Sequence, residues 1–129
     1  MSQQSYKVKS AVLRGVEALP VEVEVLISSG IPSFSIVGMP DTAIQESRER
    51  VRAAIKSAGF HVPSDKIVVN LAPSSLRKTG SGFDLPIALA LLAATGQIPV
   101  AHLENALVVG ELSLEGRVRS TAGLISYQQ

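Results

Sequence analysis

The chain has 129 residues, 46% hydrophobic and 18% charged, which is enough to bury the core of one modest globular domain and excludes a disordered chain. It has no cysteine and only two histidines, which excludes disulfides and thiolate chemistry and disfavours a histidine zinc site. The formal net charge of +1 favours no class of partner, so only local clusters of charge bear on nucleic-acid binding.

Three strands are predicted in the first part of the chain. Lys7–Leu13 and Val21–Ile27 are separated by Gly15 and Pro20, and the second strand alternates apolar and acidic residues. Such alternation is typical of a sheet with one solvent-facing side. A shorter strand, Phe34–Val37, lies between two Gly-x-Pro segments. We expect these three strands to form an antiparallel meander.

A helix is predicted over about residues 42–58, because apolar side chains recur there at helical spacing. Thr42, with Gln45 three residues later, fits a capping box at its start. Gly59 is the expected C-terminal stop. The β-branched run Lys66–Leu71 then predicts a central strand.

A second helix, Leu85–Ala94, is apolar on every side and is therefore expected to pack within the fold. The run Ala106–Val109 predicts a strand, and a Glu115-Gly116 turn before Arg117-Val118 predicts a β-hairpin. The N-terminus lacks the apolar core of a signal peptide, and the longest apolar run is about half of the ~20 residues that span a bilayer. We therefore expect a cytoplasmic protein without membrane contact.

The Gly-rich loop Gly80-Ser81-Gly82 joins the central strand to the second helix, where backbone N–H groups could hold an anion. Asp84 follows at the expected N-cap, where its carboxylate would satisfy and neutralise the helix end. We therefore interpret Gly80, Gly82 and Asp84 as a structural loop and cap. A nucleotide- or metabolite-binding loop is the alternative, although the P-loop pattern is absent.

Several segments together resemble the N-terminal domain of the ComM/YifB family, bacterial proteins often described as magnesium-chelatase-like. They are Val37-Gly-Met-Pro40, Asn70-Leu-Ala-Pro73, Lys78-x-Gly80, Asp84–Ala94 and Val109-Gly-Glu-Leu112. The resemblance covers nearly the whole chain. It implies an α+β fold of the Lon-protease-domain or GHMP-kinase type, with two layers, a mixed sheet and helices packed on one face.

The end of the chain also resembles the segment of the Lon protease domain in which a catalytic lysine follows Gly-Leu. Ile125 stands at that lysine position here, and its aliphatic side chain has no proton to exchange. The nucleophile position falls on Ser81 or Gly82, depending on the end of the helix from which residues are counted. We therefore expect no catalytic residue, and a Ser-Lys peptidase remains the alternative that Ile125 opposes.

The family resemblance implies that this domain precedes an AAA+ ATPase module, and that the member ComM is a hexameric helicase driving DNA branch migration during natural transformation. We expect residues 1–129 to be a single Lon-like N-terminal domain, non-catalytic, with the last helix and strand and the AAA+ module beyond Gln129. No cofactor or metal is expected in this chain, whereas ATP and Mg²⁺ are expected for that module. The expected partners are the module, further copies in a hexamer, and weakly bound DNA. Without that module, the 129-residue chain is expected to self-associate.

Basic side chains are the direct hint of DNA contact. Arg48, Arg52 and Lys56 follow at i, i+4 and i+8, which places them on one helix face. The other candidates are Arg77 and Lys78 on the loop and Arg117 and Arg119 on the hairpin. Such cations could track phosphates, and the alternative is a solvated face balanced by nearby glutamates. Aromatic content of 4%, with no tryptophan, opposes base stacking.

Overall fold

The computed structural model describes residues 4–80, 82–119 and 127–128. In chain order its elements are β1 (Gln4–Arg14), β2 (Glu17–Ser28), β3 (Ser33–Val37), α1 (Thr42–Gln45), α2 (Ser47–Ser57), β4 (Lys66–Ala72), α3 (Asp84–Ala94), β5 (Ala106–Leu107), β6 (Glu111–Leu112), β7 (Val118–Arg119) and β8 (Tyr127–Gln128). The mixed α+β class is confirmed, while the specific Lon-like or GHMP-like fold stays a prediction.

The described strands form a mixed sheet in the order β3-β4-β2-β1-β5-β8, beside a separate β6-β7 hairpin. β1 and β2 are antiparallel, β4 is antiparallel to β2, and β3 is parallel to β4. The expected meander of the first three strands is therefore wrong, because β4 lies between β2 and β3. The long helical connection between β3 and β4 permits parallel pairing, which a tight turn does not. The predicted central position of β4 is confirmed.

Alternation along the strands gives the sheet one buried face. Val23 and Val25 of β2 are fully buried, as are Val69 and Leu71, their partners on β4. α3 packs over β1 and β2, and α2 packs against α3. On the other face, Lys7 and Glu22 form an exposed ion pair at 3.9 Å. The apolar helix α3 is thus enclosed within the fold, as predicted.

The first predicted helix is divided in two by Glu46, and it begins differently from the prediction. Asp41 is the N-cap of α1: its extended backbone places the carboxylate to accept a hydrogen bond of 2.9 Å from Ile44 N. The predicted capping box of Thr42 and Gln45 is therefore wrong. The Gln45 amide instead donates to Ile36 O of β3 at 3.3 Å. Gly59, at φ +91°, follows the end of α2, as predicted.

The predicted hairpin near the end of the chain is confirmed. β6 and β7 are antiparallel, and Ser113 N donates to Arg117 O at 2.8 Å across the turn. Gly116, at φ +89°, lies against α2, where an added Cβ would come within 3.1 Å of Ala54 O. Within the described residues, no helix is long and apolar enough to cross a membrane.

Candidate functional site

The first turn of α3 carries a fully buried carboxylate, that of Asp84. Arg50 Nε donates to Asp84 Oδ2 at 2.6 Å, and an Arg50 terminal nitrogen donates to Oδ1 at 3.1 Å. The Ser47 hydroxyl also donates to Oδ1, and Leu112 N donates to Oδ2 at 3.1 Å. Four hydrogen bonds from α2 and β6 therefore satisfy one carboxylate, and the two-pronged contact with Arg50 is among the strongest protein hydrogen-bond geometries.

Asp84 therefore is not the helix cap that the sequence predicted. The N-cap of α3 is Phe83, which makes no side-chain capping bond, while the Asp84 carboxylate lies inside the fold. The cap prediction failed because Arg50, a much stronger partner, approaches from 34 positions away in sequence. The hydrogen bonds to Asp84 also raise the pKa of Arg50 above its ordinary value.

The chain covers the beginning of α3 with its own backbone. Leu85 N donates to Gly110 O at 2.9 Å, and Gly110 N donates to Gly82 O at 2.8 Å. A Cβ on Gly82 would lie 2.9 Å from a Val109 methyl group. The loop therefore packs so closely against the segment before β6 that position 82 has no room for a larger side chain. Since the carbonyl of Gly110 already accepts from this helix end, the arrangement is that of a packed joint rather than an open anion cradle.

The Gly-rich loop is also tied to α1. The Asp41 carboxylate that caps α1 accepts a second hydrogen bond, of 3.0 Å, from Gly80 N. Asp41 N donates to Lys78 O at 3.1 Å, and Lys78 N donates to Met39 O at 3.1 Å. The N–H of Gly80, a candidate donor to an anion in the alternative interpretation of the loop, therefore donates to a carboxylate of the chain itself.

Lys78, a predicted contact for DNA, is fully buried. Its ammonium donates to Gly38 O at 2.7 Å and to Pro73 O, and so joins the loops that follow β3 and β4. Burial lowers its pKa below the ordinary value of 10.5. The prediction that Lys78 meets phosphates is wrong, because a side chain without exposed surface does not reach a polyanion outside the fold.

The three cations of the predicted basic face of α2 differ in their contacts with the edge strand β3. Arg48 donates to Gln45 O at 2.9 Å and to Phe34 O at 3.4 Å, so it covers a backbone carbonyl of that strand. Arg52 places its guanidinium 5.4 Å from the centre of the Phe34 ring. Lys56 is exposed one turn later. Only Arg52 and Lys56 therefore remain as unpaired cations on this face among the described residues.

The other candidate residues are separated from this face. Arg77 is exposed on the Gly-rich loop, and its carbonyl accepts a hydrogen bond of 2.8 Å from the guanidinium of Arg14. Arg117 is exposed on the hairpin. Ser81, Ile125 and the Arg119 side chain lie outside the described part of the structure. The assignment of the protease positions to Ser81 or Gly82 and to Ile125 therefore stays a prediction.

Sequence reasoning missed the partners of the buried carboxylate, although one signal was present. Ser47 stands four positions before Val51 on the apolar stripe of α2, and it is fully buried. A polar residue on such a stripe requires a hydrogen-bonding partner inside the fold. Among the described residues, no three histidine, aspartate or glutamate side chains gather as a possible metal site.

Comparison of the sequence with known proteins identifies its family. The family model described as subunit ChlI of Mg-chelatase matches residues 23–128. The chain belongs to the ChlI family. Its relatives include YifB of Salmonella typhimurium and YifB of Escherichia coli, each 49% identical over 112 residues. The competence protein ComM of Haemophilus influenzae is 45% identical over 111 residues.

These matches cover most of the ChlI-family chain but a small part of its relatives. The aligned region includes 87% of the chain for both YifB proteins and 86% for ComM, and it spans 22% of each relative. The resemblance to the ComM/YifB family is thereby confirmed.

Proposed function

We propose that the chain is a non-catalytic module that precedes an AAA+ ATPase of the ComM type and supports ring assembly and DNA engagement during branch migration in natural transformation. Its family and its 45% identity to the competence protein ComM support this role. The observation that carries the proposal concerns the beginning of α3 and the segments packed on it, called here the α3 joint. Its polar groups bind one another and so serve the structure. There the buried Asp84 carboxylate binds Arg50 and Ser47, at the position where a catalytic or nucleotide-binding loop would be expected.

A nucleotide-binding role is disfavoured by the charges around the loop. The Asp84 carboxylate in the first turn of α3 is paired with Arg50, so this pair offers no net positive charge to a phosphate. The Lys78 ammonium donates to backbone carbonyls, and Gly80 N donates to Asp41. These two donors are thus engaged within the protein.

A peptidase role is disfavoured by the sequence. Ile125 stands at the position of the Lon lysine, and a serine hydroxyl without a base is a weak nucleophile at neutral pH. The proposed module contributes binding surface and leaves ATP and Mg²⁺ chemistry to the AAA+ module.

The proposal is tested on the full-length gene product with and without residues 1–129. We expect the shortened protein to retain basal ATP hydrolysis, which also shows that the motor is folded. It should lose hexamers in light scattering and lose the stimulation of ATP hydrolysis by branched DNA. Unchanged assembly together with unchanged stimulation would refute the module's role, as would ATP hydrolysis by the 129-residue chain alone.

A further inference from the structure

A polar pocket lies between the C-terminal half of α2, the start of β3 and the loop before β4. Its volume is about 210 Å³, far above the ~10–15 Å³ that a single water requires. Its polar lining consists of Ser33, Arg52, Lys56, Ser64 and Asp65. The pocket is separate from the α3 joint, and all of its lining residues are described.

Arg52 contacts an aromatic ring of the neighbouring strand. Its guanidinium lies over the Phe34 ring, 5.4 Å from the ring centre, and Phe34 is itself 93% buried. Such a cation–π contact favours this position of the guanidinium. This contact with the ring uses none of the N–H groups of the guanidinium. Among the described residues, none accepts a hydrogen bond from the Arg52 side chain.

Lys56 supplies the second positive charge. It lies four residues after Arg52 on α2, so both side chains extend from one helix face. No carboxylate within the described part of the chain lies within ion-pair distance of Lys56. Its position in the last turn also offsets the partial negative charge of the helix C-terminus.

Asp65 contributes the one negative side chain of the pocket. Its carbonyl accepts a hydrogen bond of 3.3 Å from Ser33 N, which fixes the loop before β4 to the start of β3. Two cations and one carboxylate leave the pocket with a net charge of +1. This net positive charge attracts an anion, and the single negative charge of a phosphodiester neutralises it.

We propose that this pocket binds a phosphodiester group of single-stranded DNA. Arg52 donates in fork geometry, Lys56 acts as a point charge, and the hydroxyls of Ser33 and Ser64 complete the donor set. The choice of DNA as the source of the phosphodiester rests on the proposed function. The pocket reads no base, so binding is indifferent to sequence.

Fluorescence anisotropy with a labelled 12-nucleotide oligo(dT) carrying a 5′-hydroxyl tests the pocket on the 129-residue chain. We expect Arg52→Gln and Lys56→Gln each to weaken binding by about fivefold at low salt. Each should reduce the slope of log affinity against log salt by about 0.7, the value for one lost contact with a single strand. Asp65→Asn should strengthen binding, because it removes the repelling charge.

Lys9→Gln is the matched control, since it removes the same charge from an exposed position on the opposite face of the sheet. An equal loss of affinity in Lys9→Gln would refute the pocket as the binding site. So would an Asp65→Asn variant with unchanged affinity, or a wild-type chain that does not bind the oligonucleotide. Lys56→Gln alters an exposed side chain, so it preserves the test if Arg52→Gln disturbs the fold.

Inorganic phosphate distinguishes the source of the ligand. We expect millimolar phosphate to leave oligonucleotide binding unchanged at constant ionic strength, and displacement at low concentration would overturn the preference for a diester. The pocket variants in full-length protein separate this proposal from the larger one. Variants that lose oligonucleotide binding but still assemble rings support the pocket. They do so even if DNA does not stimulate ATP hydrolysis by the wild-type protein.

Discussion

The ion pair at the beginning of α3 allows a quantitative prediction. Asp84 has no exposed surface, whereas the Arg50 side chain keeps 20% exposure. Arg50→Met retains most of the packing of the stem and removes the charge. The Asp84 carboxylate then stays buried with two neutral donors, the Ser47 hydroxyl and Leu112 N. Removal of one partner of a buried pair costs about 3–5 kcal/mol, so we expect a loss of that size in the free energy of unfolding.

The magnitude distinguishes this network from a helix cap. A lost cap costs about 0.5–2 kcal/mol, and a typical domain has only about 5–15 kcal/mol of stability. The double variant Arg50→Met/Asp84→Leu removes both charges. Because apolar pairs of similar volume often replace buried ion pairs without loss, we expect it to recover part of the stability that Arg50→Met loses. Recovery is incomplete, since the buried Ser47 hydroxyl and Leu112 N lose their acceptor.

Urea unfolding followed by far-UV circular dichroism measures these differences, since the chain has no tryptophan for fluorescence. Arg117→Met, which alters an exposed arginine on the hairpin, is the matched control and should stay within about 0.5 kcal/mol of wild type. A loss below about 1 kcal/mol in Arg50→Met would refute the buried-charge explanation. A double variant no more stable than the single one would refute it as well.

Three further predictions concern the loops. Burial lowers the pKa of Lys78, so the unfolded chain binds that proton more tightly than the folded chain does. The stability of the wild type should therefore rise with pH between the lowered pKa and 10.5. Urea midpoints that rise equally in Lys78→Met would contradict this. Gly38→Ala should destabilise more than Gly59→Ala in thermal unfolding, because both have positive φ but only the Cβ at Gly38 would meet Leu71 O, at 2.1 Å; equal shifts would disprove the clash. A fluorophosphonate probe and casein should show no labelling and no cleavage, and stoichiometric labelling of Ser81 would restore the peptidase alternative.

Local features of the fold were predictable because their causes are local. The apolar stripe and Gly59 located α2, and the turn residues Glu115 and Gly116 located the hairpin. The buried position of α3 followed from its uniformly apolar composition. The partner of β3 was not predictable in this way, because pairing with β4 is decided after a connection of 28 residues, from position 38 to 65.

The candidate site shows the same division between local and distant causes. The spacing of Arg48, Arg52 and Lys56 gave their common helix face, but it carried no information on β3, whose Phe34 carbonyl engages Arg48 and whose Phe34 ring holds Arg52. Lys78 looked exposed because it stands in a polar, Gly-rich segment. Its burial depends on two carbonyls, of Gly38 and Pro73, that the fold brings together.

The two charged regions of the molecule therefore have different physical roles. At the α3 joint, Asp84 and Arg50 neutralise each other inside the protein, where an unpaired charge would be costly. At the pocket beside β3, Arg52 and Lys56 outnumber Asp65, and both remain in contact with solvent. Cations that lack a protein partner and keep access to water are the ones able to bind an external anion. For this reason the pocket, and not the Asp84–Arg50 pair, is the place proposed for contact with DNA.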